Sequence, residues 1–508
     1  MLITAARRLA GDSLARNSLL IMATTVINGG LGYCFWMLAA RAVPTWQIGT
    51  ATALISAATA VSMIANLGAG HMFIQRLPAA GGDWSRIVSG GLIFGALATA
   101  AVATAGALVA PRLVENFSFL SGSTGLAALT CAAVAVTVTT LLDNVYVAHR
   151  AGRGMFVRNL GLALGKIVAL LAVVAMGWHS AGAVLISWTL PILLVSAVTM
   201  IAGLGRLRSG ARLRAAGIVA ELPHLRAALT GHHLINLSQA GPAALLPVMV
   251  TARLGADANA HFYLAWMTAS MLFMVSPAVA SALYAERTNA ARVSVTRAAV
   301  VVGAVVGGPG AVLLLAGDRI LALFSAGYAD TSGLLLKILV IAAIPDAITN
   351  LAVAHWRSRG EFRRCRRLNI VRAGACLSLT WLLLPGWGVT GAGIAWLTGQ
   401  TASALLVFLL AATSRLRPAG ADGCFGGRET AGSASQASAA VTEGCFGGRE
   451  TAVSASQASA AVTDCCFEGP EAALGDSRGG AGGAEVGPAD RRVERHEAGD
   501  APAIRRSR

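Results

Sequence analysis

The chain has 508 residues, 55% of them hydrophobic and only 13% charged, with a mean hydropathy of +0.65. A water-soluble chain of this length could not cover its surface with so few charges, so the composition points to a polytopic membrane protein. The net charge of +16 is uneven: residues 1–421 hold 31 basic and 11 acidic side chains, whereas 422–508 hold 9 and 13. The excess thus belongs to the apolar part and sits in its short loops, which argues for membrane orientation and against nucleic-acid binding.

A bilayer core of about 30 Å takes roughly 20 helical residues. That length predicts twelve spans, near 17–40, 48–74, 86–110, 120–148, 156–177, 181–204, 230–252, 258–285, 294–316, 333–355, 369–387 and 390–412. Arg7, Arg8 and Arg16 precede a first apolar run too long for a signal-peptide core, so it reads as an uncleaved span. Alternate loops are rich in arginine: Arg76 and Arg86, then Arg150, Arg153 and Arg158, then Arg206 to Arg226, then Arg287 to Arg297, then Arg357 to Arg372. The intervening loops hold only Arg41, Arg112, Arg253 and Arg319. Both termini are therefore expected on the cytoplasmic side.

Two passages reveal a duplication. Asn144 to Phe156 and Asn350 to Phe362 share Asn, Val-Ala-His, Arg-Gly and Phe at one spacing, offset by 206 residues; Ala40-Arg41 and Ala252-Arg253 match at 212. Two homologous halves follow, arranged as a parallel repeat: an amino-terminal six-helix lobe over 1–204 and a carboxy-terminal one over 230–417. Residues 205–229 form a basic linker, expected on the anionic inner membrane surface. From 418 to 508 the composition turns to Ala, Ser and Gly, with a 21-residue tandem repeat at 423–443 and 444–464. Such a tail cannot bury a core and is expected to be disordered.

Helix breakers lie inside several spans: Gly29 and Gly30 in the first, Pro191 in the sixth, Pro242 and Pro247 in the seventh and Pro277 in the eighth. Each alone reads as a packing kink or small-residue contact. With the 212 offset Gly29 falls on Gly241, so the first and seventh helices are weakened at one depth, as expected of a moving or substrate-facing pair. These two spans also carry Thr24 and Asn28, and Asn236 and Gln239, enough polarity for a wet cleft. Lys166 lies about ten residues, or about 15 Å, into the fifth span. Its repeat counterpart is Arg372, so each lobe offers one cation at an equivalent depth. Two readings stay open: an anion-binding pair facing the cavity between the lobes, or a local salt bridge from Lys166 to Asp143. Asp143 and Asp346 are in turn candidate proton or sodium sites, or partners of nearby arginines. His149 and His355 read as solvated histidines at the membrane edge. The eight scattered cysteines lack metal-ligand spacing, and no nucleophile elbow, phosphate loop or catalytic carboxylate pair stands out, so no enzyme chemistry, metal or cofactor is expected.

Residues 13–412 resemble the polysaccharide-transporter branch, the Wzx-type flippases, of the multidrug/oligosaccharidyl-lipid/polysaccharide exporter superfamily. The resemblance rests on Asn28 to Arg41, Gly49, Asn66-Leu67-Gly68, Arg76-Leu77-Pro78 and the Asp143 to Arg150 segment. It implies an all-α fold of two six-helix lobes around a V-shaped central cavity, rocking to expose that cavity to each side in turn. It further implies a bacterial cytoplasmic-membrane protein that moves a lipid-linked oligosaccharide on polyprenyl pyrophosphate from inner to outer leaflet, for cell-surface polysaccharide or lipopolysaccharide synthesis. The implied partners are polymerase or glycosyltransferase machinery, and a proton or sodium gradient the implied energy source. The alternative in the same superfamily is an ion-coupled multidrug exporter, against which the cation-rich interior argues. A membrane glycosyltransferase would need a large outward loop, and the outward loops here are short.

Overall fold

Small residues dominate the apolar runs, and they set how the helices meet: without bulky side chains, backbones approach closely and hydroxyls bond across the gap. The computed structural model describes residues 13–214, 216–229, 233–274, 295–357 and 361–416. The tail from 418 onward, Pro277 and the end of the eighth span lie outside the described residues.

Six spans form the first half: α1 (Ser13–Ala42), α2 (Thr45–Ala65), α4 (Trp84–Leu113), α5 (Gly122–Ala148), α6 (Gly152–Ala175) and α7 (Ala181–Val198). A short helix, α3 (Ala69–Arg76), separates α2 from α4, and α7 runs on through a π-helical turn at Thr199–Gly203 to Leu207. The linker contains α8 (Leu222–Ala228). The second half has α9 (Leu234–Leu254), α10 (Ala256–Phe273), α11 (Val295–Ala322), α12 (Ala326–Arg357) and α13 (Phe362–Leu416). Within α13, Gly388 adopts φ 56°, a left-handed conformation that divides the helix into the two expected last spans. Seven helical segments among the described residues are long and apolar enough to cross a membrane.

The helices continue through the glycines and prolines within them. α1 passes through Gly29 and Gly30, α7 through Pro191, and α9 through Pro242 and Pro247 without interruption. One lost hydrogen bond per proline is tolerated where neighbouring helices pack against the bend. The second span instead ends early: Leu67 and Gly68 turn left-handed at φ 57° and 71°, and Asn66 Oδ1 accepts from the Gly68 amide at 2.9 Å. α3 then turns aside as a separate short helix.

In the first half α5 is central, packed on α2, α4 and α7. Hydroxyls link three of these helices, Thr99 with Thr137 at 2.9 Å and Thr137 with Ser62 at 2.8 Å. In the second half α12 packs on α10, α11 and α13. The halves meet chiefly through α2, which lies against both α9 and α10. At its start Gly49 is so close to α10 that a Cβ there would stand 1.6 Å from the Ala256 carbonyl oxygen. Asn259 Nδ2 donates across the same crossing to the Gly49 carbonyl at 3.2 Å and to Thr52 Oγ1 at 3.0 Å.

At the same end each half reaches into the other. Tyr33 and Arg41 of α1 donate to the carbonyls of Ile320 (3.2 Å) and Leu323 (2.7 Å) near the α11–α12 connection. Reciprocally, Asn116 in the α4–α5 connection donates to the Ala252 carbonyl at the end of α9, at 3.1 Å. Exchanging the halves converts one contact into the other, as a duplication predicts.

The linker is not simply laid on a surface. Leu207 and Ala211 pack against, and Leu225 and Ala228 enter, a core with Met72, Phe73, Trp84 and Ile87, so its two ends belong to the first half. Glu221 is the one acidic residue between 205 and 229. Its side chain is fully buried, gripped by Arg76 and by Arg86 Nε at 2.9 Å, with His224 Nδ1 at 3.7 Å. Burial alone would push this carboxyl up, but hydrogen bonds from Arg86 and Arg76, with their charges, outweigh it and hold it below the usual carboxylate range.

Candidate functional site

The hairpin between α5 and α6 turns at 149–151, so residues equally far from that turn face each other. Asp143 and Arg158 stand in this relation, and Arg158 Nη1 donates to Asp143 Oδ1 at 2.5 Å. Asn159 Nδ2 donates to the same oxygen at 2.9 Å, and Arg158 also reaches the Thr139 hydroxyl. The pair is nearly dry, with side chains 3% and 16% exposed. Asp143 is therefore neutralised locally.

Lys166 lies eight residues beyond Arg158, about 12 Å farther along α6, out of reach of that cluster. Its ammonium sits 4.2 Å from the Trp188 ring centroid on α7. Among the described residues no carboxylate lies within ion-pair distance of it. Lys166 and Trp188 line a cavity of about 340 Å³ together with Asn28, Thr59, Asp143 and Asn159. All its walls come from α1, α2, α5, α6 and α7, within the first half. Asp143 in the wall is thus balanced by Arg158, and Lys166 has no carboxylate partner among the described residues.

The second half treats its cation differently. Arg372 Nη1 stands 3.9 Å from Asp346 Oδ1, an ion contact too long for a hydrogen bond, with both side chains 8% exposed. Asn350 Nδ2 donates to Asp346 Oδ2 at 2.9 Å. Arg372 and Asp346 thus form a buried pair between α12 and α13, and Arg372 does not line the Lys166 cavity.

Of the remaining sequence candidates, Asn28 lines the Lys166 cavity and Thr24 is buried on α1. Gln239 is half-buried on α9 outside that cavity, and Asn236 lies on α9 with its side chain outside the described set. His149 accepts from Trp84 Nε1 at 3.0 Å and meets the Val145 carbonyl at 3.0 Å, a packed histidine with both ring nitrogens engaged. Sequence reasoning missed Arg158, Asn159 and Trp188. The first was detectable as the mirror position of Asp143 across the hairpin; nothing in the pattern singled out the other two.

The chain is a polytopic all-helical membrane protein of two six-span halves. It has the fold of transporters of the MOP superfamily. A structure described as the inward-facing conformation of a multidrug resistance MATE family transporter aligns over 80% of this chain and 100% of its own, at 15% identity and a TM-score of 0.58. The lipid II flippase MurJ, in an inward closed conformation, aligns over 78% and 88% at 11% identity and 0.62. The MATE multidrug transporter DinF-BH aligns over 79% and 95% at 15% identity and 0.55. No protein-family model and no curated protein sequence matches the chain.

Proposed function

We infer that the chain is a translocator that carries an oligosaccharide on polyprenyl pyrophosphate from the inner to the outer leaflet by alternating access. The observation that carries this reading is Lys166, a cation deep in the bilayer facing a partly polar cavity with no carboxylate to neutralise it among the described residues. A charge in that position costs at least about 2.5 kcal/mol on insertion scales, and such residues mark substrate or ion pathways. A pyrophosphate headgroup supplies the missing negative charge, while the prenyl tail stays in lipid. Asn28 is assigned to the headgroup beside Lys166, and Thr24, Asn236 and Gln239 on α1 and α9 to the sugar-bearing cleft. Arg372 joins the headgroup path when Asp346 releases it. Asp143 and Asp346 remain the candidates for coupling to a proton or sodium gradient. The end holding Arg41 and Arg253 is read as the outer side, which places both termini in the cytoplasm.

One feature favours a second reading, an ion-coupled multidrug exporter. Phe35, Trp36 and Trp188 line the same cavity as Lys166, and aromatic rings facing a cavity suit flat cationic drugs. Native mass spectrometry of the full chain in detergent separates the two. The flippase reading expects a prenyl-pyrophosphate disaccharide to be retained in the presence of excess cationic dye. Retention of the dye, with loss of the anionic lipid, would replace that reading by the second.

A further inference from the structure

We propose that the cavity inside the amino-terminal half is a binding site for one phosphate-class anion, held by Lys166 and Asn28. For a lipid-borne phosphate the inference deepens the translocator reading and rests on it; for a free one it stands alone. The charge balance requires a counter-ion. Asp143 faces this cavity, but its charge is paired with Arg158, which like Asn159 donates to its Oδ1, so the positive charge of Lys166 is left over. Most other polar groups there are spent: Thr59 donates to the Ile55 carbonyl at 2.7 Å, and both amide hydrogens of Asn159 are taken by Asp143 and the Met155 carbonyl. Lys166 has three N–H donors, and the Asn28 amide makes no hydrogen bond to another described residue. Ammonium and amide donors meeting in one recess match the oxygens of a phosphate, which accept and do not donate when ionised.

Trp188 adds orientation. Its ring face holds the ammonium by a cation–π contact, so little side-chain freedom is lost when an anion arrives. Size adds selectivity, because about 340 Å³ takes a small anion or one headgroup phosphate, and a glycan must remain outside. The site is confined to one half. Arg372, the repeat counterpart of Lys166, already faces Asp346, so the duplicated fold carries a free cation in the first half and a neutralised one in the second.

The test is thermal unfolding of the full chain in detergent, with sodium phosphate or with a prenyl monophosphate, since a ligand that binds the folded state raises its melting temperature. Stabilisation of the wild type and of Lys166→Arg, absent in Lys166→Met, is the expected result. A response to sodium phosphate identifies a free-ion site; a response to the prenyl monophosphate alone identifies a headgroup site. Equal stabilisation of Lys166→Met and wild type, or none of the wild type by either probe, overturns the proposal. Should Lys166→Met fail to fold, Asn28→Leu carries the test, with roughly tenfold weaker binding expected for one lost hydrogen bond to a charged group. Unchanged binding in Asn28→Leu would then overturn it. Binding through Lys166 without lipid translocation would remove the flippase reading and leave the site. Translocation with phosphate binding indifferent to Lys166 would do the reverse.

Discussion

Gly49→Ala is expected to prevent the two halves from closing at the Arg41 end and to reduce translocation roughly a hundredfold. A methyl group at this position would stand 1.6 Å from the Ala256 oxygen and 2.4 Å from its carbonyl carbon, both backbone atoms that cannot rotate away. Overpacking that backbone must absorb costs about 3 kcal/mol or more. Because α2 and α10 belong to different halves, the cheapest relief is to separate them. A penalty of about 3 kcal/mol on one state shifts the equilibrium by about two orders of magnitude. The measurement is the distance between spin labels on the two halves at that end, together with transport. Gly106→Ala is the control, since nothing lies within 4 Å of its Cβ position. Normal closure in Gly49→Ala would show that the crossing is looser than this contact implies.

Glu221→Ala is expected to destabilise the chain by about 3 kcal/mol, the low end for breaking a buried ion pair, because Arg76 and Arg86 remain 27% and 35% exposed. The lost carboxylate leaves two arginines facing each other under the linker and loosens the Leu225–Phe73 core beside it. The pH dependence follows from the depressed carboxyl. Its stabilisation is complete above the unfolded value of about 4.3 and is lost as pH falls through the lower folded value. Denaturant unfolding should therefore show a gap between wild type and variant at neutral pH that closes on acidification below about 4.3. A gap unchanged by acid would assign the effect to packing alone.

Much of this architecture is legible in the residues, for physical reasons that also mark where legibility ends. Span lengths depend on bilayer thickness and the two repeat anchors on local pattern, so the twelve-span layout and the duplication can be read directly. Breaks are harder, because the bundle supports a proline with neighbouring helices: Pro191, Pro242 and Pro247 do not interrupt, whereas Leu67 and Gly388 do. Charge pairing inside a half obeys a reflection rule that sequence offsets hide. Asp143 and Arg158 are equidistant from the turn near 150, and Asp346 pairs with Arg372 between α12 and α13. Repeat alignment instead matches Lys166 with Arg372, residues with the same depth and different partners. Glu221 is visible as the lone acid in a basic stretch. Cross-half contacts such as Gly49 with Ala256, and the Trp188 ring beneath Lys166, depend on how surfaces meet in space, and no periodicity encodes them.

The central claim, that this fold moves an anionic lipid-linked sugar between leaflets, is tested most directly in reconstituted vesicles. A fluorescent prenyl-pyrophosphate disaccharide placed in one leaflet should reach the other in vesicles containing the full chain, and at only a small fraction of that rate with Gly49→Ala. Leaflet exchange no faster than in protein-free vesicles, with a cationic dye carried across the same membranes, would contradict the account.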